Sequence, residues 1–246
     1  MPTAIVIDGA YFLRRFGSSF PEFDRSCPID IARAVMSLAR FHILTRLKTN
    51  PVLEQIGGDL ANNKEFRPEE SSELYRIFFY DCSPLTKRVH LPVSKKSLVL
   101  AKTPEAMLRN SLHRELHSIR KVALRLGRLN ESLSDWKPKP DAIDRWLKNP
   151  ETYLPRDEDF AIDVTQKGVD MKLGLDVASI AFKKQADQLV LVAGDADFVP
   201  AVKLARREGM DVILDPMFGN AAPDLRQHVD GERNCLVTDH PMRPQS

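Results

Sequence analysis

Two short apolar runs end on carboxylates: Ile5-Val6-Ile7-Asp8-Gly9 near the start of the chain and Leu189-Val190-Leu191-Val192-Ala193-Gly194-Asp195-Ala196-Asp197-Phe198 near its end. Runs of this length and composition are the pattern of buried parallel strands. An Asp beside a Gly at the end of such a strand marks the edge where open α/β sheets gather their ligands. A further acid, Asp170, opens a helical stretch at Gly168-Val169-Asp170, with Lys167 just ahead of it. Alone, a helix-start Asp is a cap or dipole partner worth about 1 kcal/mol. Here Asp8, Asp170, Asp195 and Asp197 all fall at strand ends or helix starts, which share one edge in a parallel sheet, and charges of one sign so placed repel. A hard divalent cation such as Mg²⁺ or Mn²⁺ relieves that repulsion, so the pattern points to an acidic, metal-binding centre.

The elements that must position these residues alternate between strand and helix. Strands are expected over 3–7, 74–80, 160–164, 189–193 and 210–214, and helices over 28–47, 104–130, 169–184 and 198–208, with Gly209 at a helix end. Residues 14–27 read as a loop, 50–72 as an exposed polar connection, and Trp136 to Pro140 as an extended linker. The fold class that follows is α/β, a doubly wound, mostly parallel sheet with right-handed crossovers. Residues 1–84 and 150–233 form the expected core, 85–149 a helical basic insertion, and 234–246 a loosely ordered tail.

Composition narrows the function classes. The 246 residues are 43% hydrophobic, ample for a sizeable core, and three scattered cysteines, Cys27, Cys82 and Cys235, fit a reducing, cytoplasmic setting. No run of about 18 apolar residues and no leader pattern are present, so no membrane partner is expected. Neither G-x-x-x-x-G-K-[ST] nor G-x-G-x-x-G occurs, nor a serine or cysteine nucleophile motif.

The net charge is only +2, but residues 85–148 carry 15 lysines and arginines against 6 acids. That excess is either a solvated helical face or a surface that tracks phosphates beside the acidic centre. On the expected helix, Leu108, Leu112, Leu116, Ile119 and Leu126 form an apolar stripe, while Arg114, Lys121, Arg125 and Arg128 share another face as candidate substrate-binding residues. His113 and His117 lie four apart, yet the intervening Arg-Glu-Leu matches no zinc-peptidase arrangement.

Taken together, Val6-Ile7-Asp8-Gly9, Phe79-Tyr80-Asp81, Lys167-Gly168-Val169-Asp170 and Leu191-Val192-Ala193-Gly194-Asp195-Ala196-Asp197-Phe198 resemble the NYN domain, a branch of the PIN-like metal-dependent ribonucleases. The resemblance spans most of the chain. It implies a PIN-like core whose small acidic pocket binds Mg²⁺ or Mn²⁺ and hydrolyses RNA phosphodiesters. By this resemblance Asp8, Asp170, Asp195 and Asp197 are catalytic and metal-binding residues, with Asp8 and Asp195 as direct ligands. Lys167 stabilises the pentacovalent phosphorane, anchors a neighbouring phosphate, or is a solvated lysine. Asp176 lies off the face of Asp170 and outside the metal shell, and Asp81 is a rim residue or an ordinary turn residue. The chain departs from the family where many members carry Asn three residues after the first Asp. Here that place is Tyr11, which either stacks on a nucleobase or packs against the loop.

The expected partner is RNA, and the 85–149 segment is also the place for a homo-oligomer or protein contact. Two other readings stay open: a non-catalytic RNA- or partner-binding module of the same fold, and a haloacid-dehalogenase-type phosphatase. The latter normally needs a second Asp two residues after the first, where this chain has Ala10.

Overall fold

A computed structural model describes residues 2–47, 66–129, 135–163 and 166–235. In chain order the elements are β1 (Thr3–Asp8), α1 (Gly9–Ser19), α2 (Pro28–Arg46), α3 (Pro68–Glu73), β2 (Leu74–Cys82), β3 (Arg88–His90), β4 (Ser97–Val99), α4 (Pro104–Ser118) and β5 (Val122–Leu129). Then follow β6 (Asp135–Pro138), α5 (Pro140–Lys148), β7 (Phe160–Asp163), β8 (Gln166–Lys167), α6 (Val169–Phe182), β9 (Gln188–Val192), α7 (Val199–Arg207), β10 (Asp211–Leu214), α8 (Pro223–Gln227) and β11 (Gly231–Glu232).

The central sheet has the order β11-β10-β9-β1-β2-β5-β8. Its first six strands are parallel, and the two-residue β8 closes the β5 edge antiparallel. From β1 the chain winds outward through β2 and β5, then returns to the other side of β1 and winds outward through β9, β10 and β11. This is the doubly wound α/β fold that the alternating pattern predicts, and its direction reverses between β1 and β9.

Strand β1 is buried on both faces, which is why its sequence does not alternate. Ile5 and Ile7 pack with α1, α2 and α4 on one face; Ala4 and Val6 pack with α6, α7 and α8 on the other. Each fully buried large side chain contributes roughly 1.5–3 kcal/mol by leaving water, so this doubly covered strand anchors the residues at its end.

Several sequence expectations change. The loop expected over 14–27 is helical as far as Ser19. Phe12, Phe16 and Phe20 recur every four residues, with ring centroids 6.1 Å and 5.7 Å apart, and bury one face against the sheet. The helix expected over 104–130 stops at Ser118, and the chain reverses at Lys121 (φ 67°) into β5, which pairs with β2 inside the central sheet. Leu126 lies seven residues after Ile119, which imitates two helical turns although the backbone has already become extended. The expected insertion is therefore divided: α4 and β5 belong to the sheet and its cover, while the β3/β4 and β6/β7 pairs and α5 stand outside it. Trp136 to Pro138 is strand rather than linker, paired with β7. Most of the connection expected over 50–72 and nearly all of the tail from 234 lie outside the described residues, though Pro68–Glu73 is helical. Among the described residues, no helix is long and apolar enough to cross a membrane.

Candidate active site

The acidic residues gather at the carboxyl ends of β1 and β9, where the winding reverses. Asp8 closes β1 and caps α1: its Oδ1 accepts the backbone N–H groups of Ala10 at 3.0 Å and Tyr11 at 3.3 Å. Its Oδ2 has no hydrogen-bond donor among the described residues. Helix α1 can start there because residue 9 is Gly; a Cβ would lie 2.4 Å from the Tyr80 carbonyl oxygen on β2. Asp195 follows β9, and its Oδ1 accepts the Asp197 N–H at 3.2 Å, capping the 3-10 turn Ala196–Phe198. Asp170 sits in the first turn of α6.

The four carboxylates form an electrostatic chain. Asp8 is pushed above the usual carboxylate range by burial first, and its two backbone hydrogen bonds oppose that; the charge of Asp170 adds to the rise and that of Arg14 reduces it. Burial, then Asp197 and Asp195, push Asp170 upward. Asp170 is thus the link between the Asp8 end and the Asp195–Asp197 turn. Among the described residues no three His, Cys, Asp or Glu side chains converge closely enough to hold a metal ion as they stand. The donor set still fits a hard divalent cation: it is all carboxylate, mutually repelling, and among the described residues one oxygen each of Asp8 and Asp195 accepts no hydrogen bond. Mg²⁺ in particular keeps several waters and is held by few carboxylates.

Of the four, Asp8 and Asp195 border a cavity of about 490 Å³, whose lining includes Tyr11, Arg14, Gly194 and Asn220 but neither Asp170 nor Asp197. Tyr11 packs against the loop, the second of its two expected roles. It is buried, its hydroxyl donates to the Pro216 carbonyl at 2.7 Å, and its ring lies over Gly194. Burial raises its phenol above the ordinary value. The loop after β10 is held from the α1 side as well. Met217 and Phe218 adopt positive φ (47° and 55°), while Arg15 donates to both their carbonyls and Ser19 to that of Met217. Paired left-handed non-glycine residues cost free energy and persist only where the surroundings determine them.

The expected basic face is dispersed. Lys121 lies at the amino-terminal end of β5, away from the acidic edge, with its ammonium donating to the carbonyls of Ser71 and Leu74. Arg125 lies on β5, where its Nε donates to Asp176 at 2.8 Å and its guanidinium covers the Phe78 ring. Arg114 is exposed on α4 beside Ser111, and Arg128 is exposed near the end of β5. These four cannot share a helical face, because only Arg114 is on a helix. Lys167 lies on β8, its backbone paired with Arg128.

Asp176 stands outside the acidic group, as its helical position implies, and accepts from Arg125 and from the Tyr80 hydroxyl at 2.8 Å. Asp81 is no turn residue. It is buried within β2 and bound by Arg109 and by His113 Nε2, the latter at 2.8 Å. His117 is exposed while His113 is buried, so the two imidazoles do not form one site. Arg14 and Asn220 were missed by the sequence reading. The signal for Arg14 was available in the Phe12–Phe16–Phe20 spacing, which makes 14 a helical position on the outer face of α1; nothing local marks Asn220.

The NYN domain family model matches residues 111–232. The chain carries an NYN domain, of the PIN-like ribonuclease superfamily. The NYN match runs from within α4 to β11 and includes Asp170, Asp195 and Asp197; β1 with Asp8, and β2, precede it. An uncharacterized protein of Methanocaldococcus jannaschii is 29% identical over 73 residues, covering 28% of this chain and 30% of that protein. No solved structure matches.

Proposed function

We propose that the chain is a metal-dependent ribonuclease that hydrolyses RNA phosphodiesters at the β1/β9 edge. The observation that carries this reading is the convergence on one edge of four carboxylates, two of them raised by burial and by their neighbours, in a chain with an NYN domain. Asp8 and Asp195 would hold Mg²⁺ or Mn²⁺ directly. Asp170 and Asp197 would complete the shell directly or through water, or orient the attacking water. When bound, the cation supplies Lewis-acid polarisation of the phosphate and lowers the pKa of its bound water toward neutrality.

The protein's own groups do the rest. Helix α1 orients Asp8 through its cap, and the 196–198 turn orients Asp195, so each carboxylate has one oxygen already tied to the backbone. Water attacks phosphorus and the 3′-oxygen leaves, so no nucleophilic side chain is required. Lys167 is the candidate for stabilising charge on the phosphorane.

Purified protein incubated with labelled single-stranded RNA and Mg²⁺ or Mn²⁺, beside Asp195→Asn and an EDTA control, tests the reading. Metal-dependent cleavage that disappears in the variant supports it. RNA that is bound but left intact moves the assignment to a binding module, and turnover of p-nitrophenyl phosphate instead moves it to a phosphatase.

A further inference from the structure

The cavity lined by Asp8 and Asp195 takes in charges of both signs. Besides the two carboxylates it is lined by Arg14, which lies over the Tyr11 ring with its guanidinium carbon 5.6 Å from the ring centroid. Among the described residues Arg14 makes no hydrogen bond and no ion pair. Its neighbour Arg15 is fully engaged, donating to the carbonyls of Met217 and Phe218 at 3.0–3.2 Å. Successive arginines on α1 therefore have different tasks, one closing the loop after β10 and one facing the cavity.

The support under Arg14 is rigid. Tyr11 is 5% exposed, tied to Pro216 through its hydroxyl and wedged against Gly194. A guanidinium held over a fixed ring loses little freedom when it grips an anion with its N–H groups. The planar fork matches two non-bridging oxygens of a phosphate.

We infer that Arg14 is a phosphate clamp, binding a backbone phosphate of a single-stranded nucleic acid so that the strand lies across the cavity against Asp8 and Asp195. The inference rests on the ribonuclease reading for its ligand, and it moves the phosphate contact from the dispersed residues of the 85–149 segment to α1. Asn220, exposed on the same cavity, adds an amide with donor and acceptor to the rim.

The test is fluorescence anisotropy with a short fluorescein-labelled single-stranded RNA in EDTA, where cleavage cannot interfere, over a series of salt concentrations. Arg14→Gln is expected to weaken binding about tenfold and to reduce the slope of log K against log[salt] by about 0.7. Arg14→Lys should keep the slope while losing part of the affinity, since it retains the charge but not the fork. Arg14 is exposed and unpaired, so both variants should melt with the wild type. Unchanged affinity and slope in Arg14→Gln overturn the clamp, as does a wild type that does not bind RNA. A wild type that binds through Arg14 but never cleaves with Mg²⁺ or Mn²⁺ overturns the nuclease and keeps the clamp.

Discussion

The ring of Tyr11 occupies the space that a side chain at residue 194 would need: a Cβ built on Gly194 lies 2.3 Å from Tyr11 Cε2. The ring cannot swing away, because its hydroxyl is bound to the Pro216 carbonyl at 2.7 Å and its body is in the core. Gly194→Ala is therefore expected to cost about 3 kcal/mol, at the upper end of overpacking, and to displace Asp195. Urea denaturation of the variant checks the first part. A midpoint equal to that of the wild type would mean that the β9 turn can shift freely.

His42 and Asp215 form a second buried relation. Their side chains are 0% exposed, 2.9 Å apart, and Asp215 also accepts the N–H groups of Met217 and Cys235. Replacing Asp215 by Ala removes all three bonds at once and leaves the buried N–H groups of Met217 and Cys235 without an acceptor, at about 1–3 kcal/mol each. Because Asp215 opens the loop that carries Asn220, the variant should lose RNA binding together with stability. A destabilised Asp215→Ala that retains wild-type RNA affinity below its melting temperature would separate the loop from the site.

Asp170 and Asp8 both make stability depend on pH in the metal-free protein. A carboxyl whose folded value is raised holds its proton more tightly in the folded chain. Its favourable contribution is full below the unfolded value, near 3.9, and is lost as pH rises through the folded value. Both Asp8 and Asp170 are raised, so each opposes folding at neutral pH. Asp170→Asn should raise the neutral-pH melting temperature in EDTA by about 1–2 °C, with the gain shrinking as pH falls toward the carboxylate range. Paired thermal melts across that range decide the matter, and a variant that melts below the wild type at neutral pH contradicts the repulsion.

Lys121 separates basic residues that bind RNA from those that hold the fold. Its ammonium bridges the Ser71 and Leu74 carbonyls at the edge of the sheet opposite the acids. Lys121→Met should cost about 1–2 kcal/mol from lost hydrogen bonds and leave RNA affinity unchanged. Weaker binding without weaker folding would restore Lys121 to the substrate surface.

The positions of Asp8, Asp195 and Asp197 were readable from the chain alone, since apolar runs long enough to be strands buried on both faces must end at a sheet edge, and their acids end with them. The alternation of elements also determined a parallel, doubly wound sheet, because parallel neighbours need helical crossovers. What local pattern could not decide was where residues 119–126 change period. A leucine seven places on satisfies a helix and a strand alike, and only pairing of β5 with β2 settles the choice. The same holds for the charges. Composition counted the arginines and lysines, but partners distant in the chain, 50 residues for Lys121 and 202 for Arg15, and close in the fold determine which are engaged. Arg125 meets Asp176, Lys121 meets two carbonyls, and Arg15 meets Met217, while Arg14 is left facing the cavity. Residue types and spacing set the acidic edge; the tertiary structure alone assigned Tyr11 to the core and Arg14 to the cavity, because burial and hydrogen bonding depend on what the fold brings alongside.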